Sequence, residues 1–146
     1  MLKGIPSIIS PELLKILMEM GHGDELVIGD GNFPAASTAN RLVRCDGHGV
    51  PELLDAILQL FPLDTFVEEP VALMAVVEGH NAPTPVIWDT YKEIISKHDS
   101  AEIEFLERFA FYDRAKKAYA IVATGESAIY ANIILKKGII TDAESA

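Results

Sequence analysis

Unbroken apolar runs alternate with amphipathic stretches along the chain, and that alternation predicts strands and helices in turn. Ser10-Pro11-Glu12 opens the first amphipathic stretch. It supplies a serine to cap free amides, a proline at the first helical position and an acid at the positive end of the helix dipole. Leu13, Leu14, Leu17 and Met18 follow at helical spacing, and Gly21 and Gly23 stop the helix. Leu26-Val27-Ile28 has no polar interruption, so it predicts a short strand buried on both faces, ending at Gly29-Asp30-Gly31. A second helix is expected from Pro51 through Leu53, Leu54, Ile57 and Leu58 to the break at Phe61-Pro62. A strand is predicted over the apolar run 71–77, helices over 86–97 and 108–117, and a short strand over 103–106 between them. Strands over 119–123 and 133–135 complete the set, and 141–146, with Asp142 and Glu144, is expected to be a frayed acidic end.

Doubly buried strands alternating with helices predict an α/β fold of three layers, a largely parallel sheet flanked by helices. In such folds ligands gather at the carboxyl ends of the strands. The 146 residues show no internal repeat, low-complexity segment or long Gly/Ser linker, so one domain over 1–146 is expected. With 49% hydrophobic and 23% charged residues the chain is too apolar to be disordered. Its formal net charge of -10 repels phosphate backbones and anionic lipid heads, which argues against nucleic acid and membrane as partners. No apolar run approaches the roughly 20 residues that span a bilayer. Cys45 is the single cysteine, too few for an internal disulfide or a cysteine zinc site. Pro6, Ser7, Ser10 and Pro11 interrupt any export signal, so a cytoplasmic location is expected. A mean hydropathy of +0.21 in so acidic a chain leads us to expect apolar surface buried between copies, that is, a homo-oligomer.

The densest polar cluster is Gly21-His22-Gly23-Asp24-Glu25, where flanking glycines leave an imidazole accessible on a turn. His22 is either a catalytic acid or base or a hydrogen-bonding partner of the helix end, because an ordinary imidazole pKa near 6.5 suits both. A metal site from His22, Asp24 and Glu25 is disfavoured: adjacent residues point apart, and no second histidine recurs four residues on. Asp30, at the carboxyl end of a buried strand, is placed to accept hydrogen bonds from ligand hydroxyls or to bind its own turn. Gly29-Asp30-Gly31 fails as a dinucleotide fingerprint, since the third glycine is missing and Pro34 stands where a helix must open. Arg108 and Tyr112, four apart, share one helix face and one prospective pocket wall. Phe109 and Phe111 are expected in core or subunit contact. Tyr130-Ala131-Asn132 offers an apolar ring, a hydroxyl, a donor and an acceptor, a mixture suited to a monosaccharide, although a buried tyrosine satisfied by backbone would look the same.

These residues carry a resemblance. Ser10-Pro11-Glu12-Leu13-Leu14, Met20-Gly21-His22-Gly23-Asp24-Glu25, Asn32-Phe33-Pro34-Ala35, Arg44-Cys45-Asp46-Gly47, the run 107–117, Ala123-Thr124-Gly125-Glu126 and Tyr130-Ala131-Asn132 stand in the same order as in one family. The chain is similar to the family of L-fucose mutarotases and D-ribose pyranases, on the mutarotase side, over nearly its whole length. The resemblance implies exchange of the α and β anomers of L-fucose without metal or organic cofactor. It also implies a site at subunit contacts of a ring-like homo-oligomer, often a decamer. By the same resemblance His22 is the proton donor and Tyr112 catalytic, and Asp30, Arg108, Tyr130, Ala131 and Asn132 bind the sugar. Asp64 and Met74 match further sugar contacts, and the pyranase branch has a histidine at the position of Arg108. The segments Ala36-Ser37-Thr38-Ala39-Asn40 and Gly79-His80-Asn81-Ala82-Pro83 depart from the pattern and bear on which sugar is preferred.

Anomer exchange needs two proton movements, one onto the ring oxygen and one off the anomeric hydroxyl, and an imidazole titrating near working pH serves either direction. His22 is expected to protonate the ring oxygen while Tyr112 or a held water takes the other proton. Asp30 and Asn132 are expected to fix the remaining hydroxyls. The same open aldehyde leads to a D-ribose pyranase, and a sugar-binding oligomer without turnover is the rival from another class.

Overall fold

The computed structural model describes residues 1–145, without the side chains of the last two of these. Six strands form one sheet: β1 (Glu25–Gly29), β2 (Leu42–Cys45), β3 (Val71–Met74), β4 (Ile103–Leu106), β5 (Ala120–Thr124) and β6 (Ile133–Lys136). Their order is β2-β5-β1-β6-β3-β4. Every pairing is parallel except those of β6, which runs against β1 and β3. The expected three-layer α/β architecture is therefore present, with one antiparallel strand at the centre of the sheet.

Side-chain alternation along the strands divides the core in two. Leu26, Ile28, Val71, Leu73, Val122, Ile133 and Leu135 face α1 (Pro11–Glu19), α3 (Val50–Leu58) and α4 (Ile87–His98). Val27, Ala72, Met74, Ile121 and Ile134 face α2 (Ala35–Thr38) and α5 (Arg108–Lys117). Helix α1 begins as its sequence requires, with the Ser10 hydroxyl accepting from the Leu13 amide at 3.1 Å. Within its apolar stripe Leu13 and Leu17 are buried, but Met18 is 77% exposed. Helix α5 buries only Phe111 and Ala115, and Phe109 stands out from it, so of that aromatic pair only Phe111 belongs to the core. Among the described residues no helix is long and apolar enough to cross a membrane.

Four differences from the expected elements stand out, the first being the one-turn helix α2, which the sequence pattern does not predict. Strand β2 was not anticipated, because an edge strand with Leu42 and Arg44 outward and Val43 and Cys45 inward has an alternating four-residue pattern too short to register. The strand expected over 71–77 ends at Met74, and the apolar residues beyond it leave the sheet to form a loop. The acidic tail forms a helical turn, α6 (Asp142–Ser145), where fraying was expected; Ala146 lies outside the described residues.

The loop after β5 is fastened to the loop after β2. Gly125 donates its amide to the His48 carbonyl at 2.9 Å, and a Cβ on Gly125 would stand 2.2 Å from the Asp46 carbonyl oxygen. Backbone on both sides leaves nothing flexible to yield. Gly125→Ala is therefore expected to lower stability by about 1–3 kcal/mol, measured as a fall in the denaturant midpoint.

Candidate functional site

Because β6 is antiparallel, its first residues stand at the edge where β1 and β3 end. A cavity of about 260 Å³ opens there, lined by Asp30, Met74, Arg108, Tyr112, Tyr130 and Asn132 together with Asn32, Phe33, Val77, His80 and Ile129. Thus six of the nine residues singled out from the sequence meet in one cavity. Ala131, between Tyr130 and Asn132 in the chain, is fully buried and does not itself line the cavity.

Each wall has a local cause. The Asp30 amide donates to Asn132 Oδ1 at 2.7 Å, which joins the end of β1 to the start of β6. Asp30 Oδ1 accepts the Asn32 amide at 3.0 Å, so the aspartate closes its own turn while its side chain lines the cavity. Asp30 is 7% exposed, and burial pushes its carboxyl above the ordinary range. Amides of Asn32, Ala131 and Phe33 oppose that shift, while the charge of Glu126 adds to it. Tyr130 adopts a left-handed backbone, φ 55°, the only non-glycine residue with positive φ among the described residues. Helix α4 holds this bend from the opposite face of the sheet. Trp88 Nε1 donates to the Tyr130 carbonyl at 2.8 Å and the Tyr91 hydroxyl donates to the Ala131 carbonyl at 2.7 Å. Burial, with Glu126 and Asp30 adding to it, raises the Tyr91 phenol and keeps it a donor. On the remaining wall the Arg108 guanidinium carbon lies 5.7 Å from the centre of the Tyr112 ring, which in turn leans on Phe33 at 5.8 Å.

His22 and Asp64 are not in this cavity. His22 precedes β1 and Asp30 follows it, so the five residues of the strand separate them, by roughly 17 Å at 3.3 Å per residue. At that other edge His22 Nε2 lies 3.0 Å from Asp64 Oδ1. The carboxylate can only accept, so Nε2 carries the proton and Nδ1 is the nitrogen left for exchange. Asp64 is fixed in place, its own amide bound to the Lys136 carbonyl at 3.0 Å and its Oδ1 to the Phe66 amide at 3.0 Å. Burial works to raise the Asp64 carboxyl, but the Phe66 amide, His22 and Lys136 outweigh it and hold the group below its ordinary range. The Phe66 ring stands 4.9 Å from the imidazole, and Met18, Ile139 and Ile140 line an apolar groove alongside His22. Sequence reasoning did not single out Phe33, Val77 or Ile129, whose apolar character reads as core until the turn after β1 and the loop after β3 are in place. Among the described residues no group of three His, Cys, Asp or Glu side chains is arranged to hold a metal ion.

The fold and site together define a mixed three-layer α/β protein with a cavity lined by carboxylate, amide, guanidinium and phenol groups at the carboxyl edge of β1 and β3. The chain belongs to the RbsD / FucU transport protein family, whose profile it matches over residues 3–140. It is 51% identical to a fucose mutarotase of Danio rerio, covering 98% of this chain and 97% of that protein. Among solved structures it is similar to the fucose mutarotase of Streptococcus pneumoniae in complex with L-fucose, at 57% identity and a TM-score of 0.92, covering 96% of this chain and all of that one (100%). Similarity to Bacillus subtilis RbsD complexed with D-ribose is lower, at 25% identity and a TM-score of 0.73, over 97% of this chain and 100% of that one.

The raised Asp30 carboxyl has a measurable sign. As pH rises from the ordinary value of 3.8, the unfolded chain ionises this group before the folded one does, and stability is lost until the folded carboxyl has ionised too. Asp30→Asn removes that loss. Its melting temperature relative to wild type is expected to climb as pH rises above 3.8 and to level off once the folded carboxyl has ionised, which thermal unfolding across a pH series would check.

Proposed function

We propose that the protein is an isomerase that interconverts the α and β anomers of L-fucose by opening and reclosing the sugar ring. The observation that carries this reading is the buried Asp30 and Asn132 pair, flanked by Arg108, Tyr112 and Tyr130, in a chain 57% identical to a fucose mutarotase solved with L-fucose. In the reaction a proton reaches the ring oxygen, the bond from that oxygen to the anomeric carbon breaks, and the anomeric hydroxyl gives up its proton as the aldehyde forms. Rotation about the adjacent carbon–carbon bond and the reverse proton movements close the ring on the other face. His22 acts as the imidazolium, keeping the Nε2 proton on Asp64 while Nδ1 gives the first proton to the ring oxygen and recovers it on closure. Its ring is steadied by Asp64, which acts here on the histidine. Tyr112, or a water it holds, relays the second proton to solvent, releasing its own hydroxyl proton as it accepts that of the anomeric hydroxyl. Asp30, Asn132, Tyr130 and Arg108 bind the remaining hydroxyls, with Met74 shaping the floor and the Ala131 backbone behind it.

The separation of His22 from Asp30 gives the proposal its quaternary part. One chain cannot bring an imidazole at the amino edge of β1 to a sugar at the carboxyl edge, so a second copy in a ring-like homo-oligomer supplies it. The exposed Met18, Phe66, Ile139 and Ile140 around His22 provide apolar surface for that contact. Pyranose–furanose exchange of D-ribose runs through the same aldehyde, but the identities of 57% and 25% to the fucose and ribose complexes favour L-fucose.

Magnetisation exchange between the two anomeric protons of L-fucose tests the reaction. Wild-type protein is expected to accelerate it, and His22→Ala to lower the acceleration by about 10²–10⁴-fold while still broadening the sugar lines. Asp30→Ala is expected to raise KM more than it lowers kcat. A mixture of His22→Ala and Asp30→Ala subunits, dissociated and reassembled together and assayed at L-fucose well below the KM of the Asp30→Ala protein, should exceed the summed activity of the two variants alone. Failure to exceed that sum would place both groups in one subunit's site and overturn the quaternary part.

A further inference from the structure

The site just described contains a second imidazole that the anomerisation chemistry does not use. His80 lines the cavity from the loop beyond β3, and its Nδ1 lies 2.7 Å from the Tyr130 hydroxyl. The same hydroxyl accepts the Val77 amide at 3.2 Å. Gly79, at φ 83°, makes the turn that brings His80 back, closed by the His80 amide on the Val77 carbonyl at 3.0 Å. The two rings also lean on each other, with centroids 5.7 Å apart at 39°. These contacts leave the Tyr130 hydroxyl few choices. Val77 occupies one of its two lone pairs, and if the phenol proton goes to Nδ1 a single lone pair remains for a ligand. With Nδ1 accepting, the ring proton of the imidazole sits on Nε2.

We propose that His80 is a specificity-determining residue of the sugar site, engaging the Tyr130 hydroxyl proton so that the pair offers one acceptor and one donor to two neighbouring hydroxyls of the monosaccharide. The inference rests on the anomerase reading for its ligand class and on the hydrogen bonds above for its assignment. Tyr130 is held rigidly by Trp88 through its carbonyl, whereas His80 stands on an exposed loop. The fixed member of the pair thus has its polarity set by the variable one. A sugar that lacks either hydroxyl, or turns one of them away, leaves the acceptor or the donor unmatched and binds less well.

The test is a KM-against-kcat comparison for L-fucose by anomeric exchange, with Kd from calorimetric titration of the same sugar. His80→Ala is expected to raise KM and Kd roughly tenfold, the loss of about one ligand hydrogen bond, with kcat within about twofold of wild type. Tyr130→Phe is expected to cost less affinity in the His80→Ala background than in the wild type, because His80 sets the direction of the Tyr130 hydroxyl proton. His80→Asn, which keeps a side-chain acceptor and a donor, is expected to recover most of the affinity. A His80→Ala protein with KM and Kd within twofold of wild type, or effects that simply multiply in the double variant, would overturn the proposal. Wild-type protein that binds L-fucose without accelerating exchange overturns the enzymatic reading alone, and the Kd ratio still decides the role of His80. Wild-type protein that does neither overturns both.

Discussion

The hydrogen bond from the Asp30 amide to the Asn132 side chain is the contact on which the cavity depends. It joins the outgoing end of β1 to the incoming end of β6, and it can form only because β6 runs antiparallel to its neighbours. In an all-parallel sheet the residues entering that central strand would stand at the opposite edge. Reversing one strand places the residues leading into it, Tyr130 to Asn132, directly beside the residues that leave β1 and β3. A helix on the far face then fixes the backbone of this junction through the Trp88 and Tyr91 donors. The cavity is therefore held by both layers of helix, although it opens on one.

The two carboxylates of interest are both buried and behave in opposite ways. Asp30 has no cationic partner among the causes of its shift, and burial dominates. Asp64 has an amide, an imidazole and a lysine, and their sum overcomes burial. An aspartate kept without a cation suits accepting hydroxyls, since its hydrogen-bonding capacity is not spent on a salt bridge. An aspartate tied to an imidazole suits holding that ring in one tautomer. Similar residues thus meet opposite electrostatic surroundings at the two edges of one strand.

Much of this was legible in the chain. The capped start of α1, the apolar runs of β1 and β3 and the four-residue spacing of Arg108 and Tyr112 follow from local rules, and each appears in its expected place or within a few residues of it. What escaped was long-range. Periodicity carries no direction, so the strands could be found while the reversal of β6 could not. The pairing of His22 with Asp64, 42 residues apart, and of His80 with Tyr130, 50 apart, has no local signal. Strand β2 escapes for a different reason, since four residues interrupted by Arg44 are too short a run to show a strand period. The resemblance to a family grouped His22 with Asp30, but the strand between them puts them at opposite edges of one chain.

The two walls of the cavity differ in how much of the molecule they concern. The floor, from Tyr130 to Asn132, is bonded to α4 and β1, so an exchange there disturbs the core as well as the pocket. The loop that carries His80 is exposed and meets the floor chiefly through one hydroxyl. Heritable change in that loop is consequently cheap for folding. On the proposed role of His80, preference among related sugars would drift through substitutions at a few loop positions while the fold stays as it is.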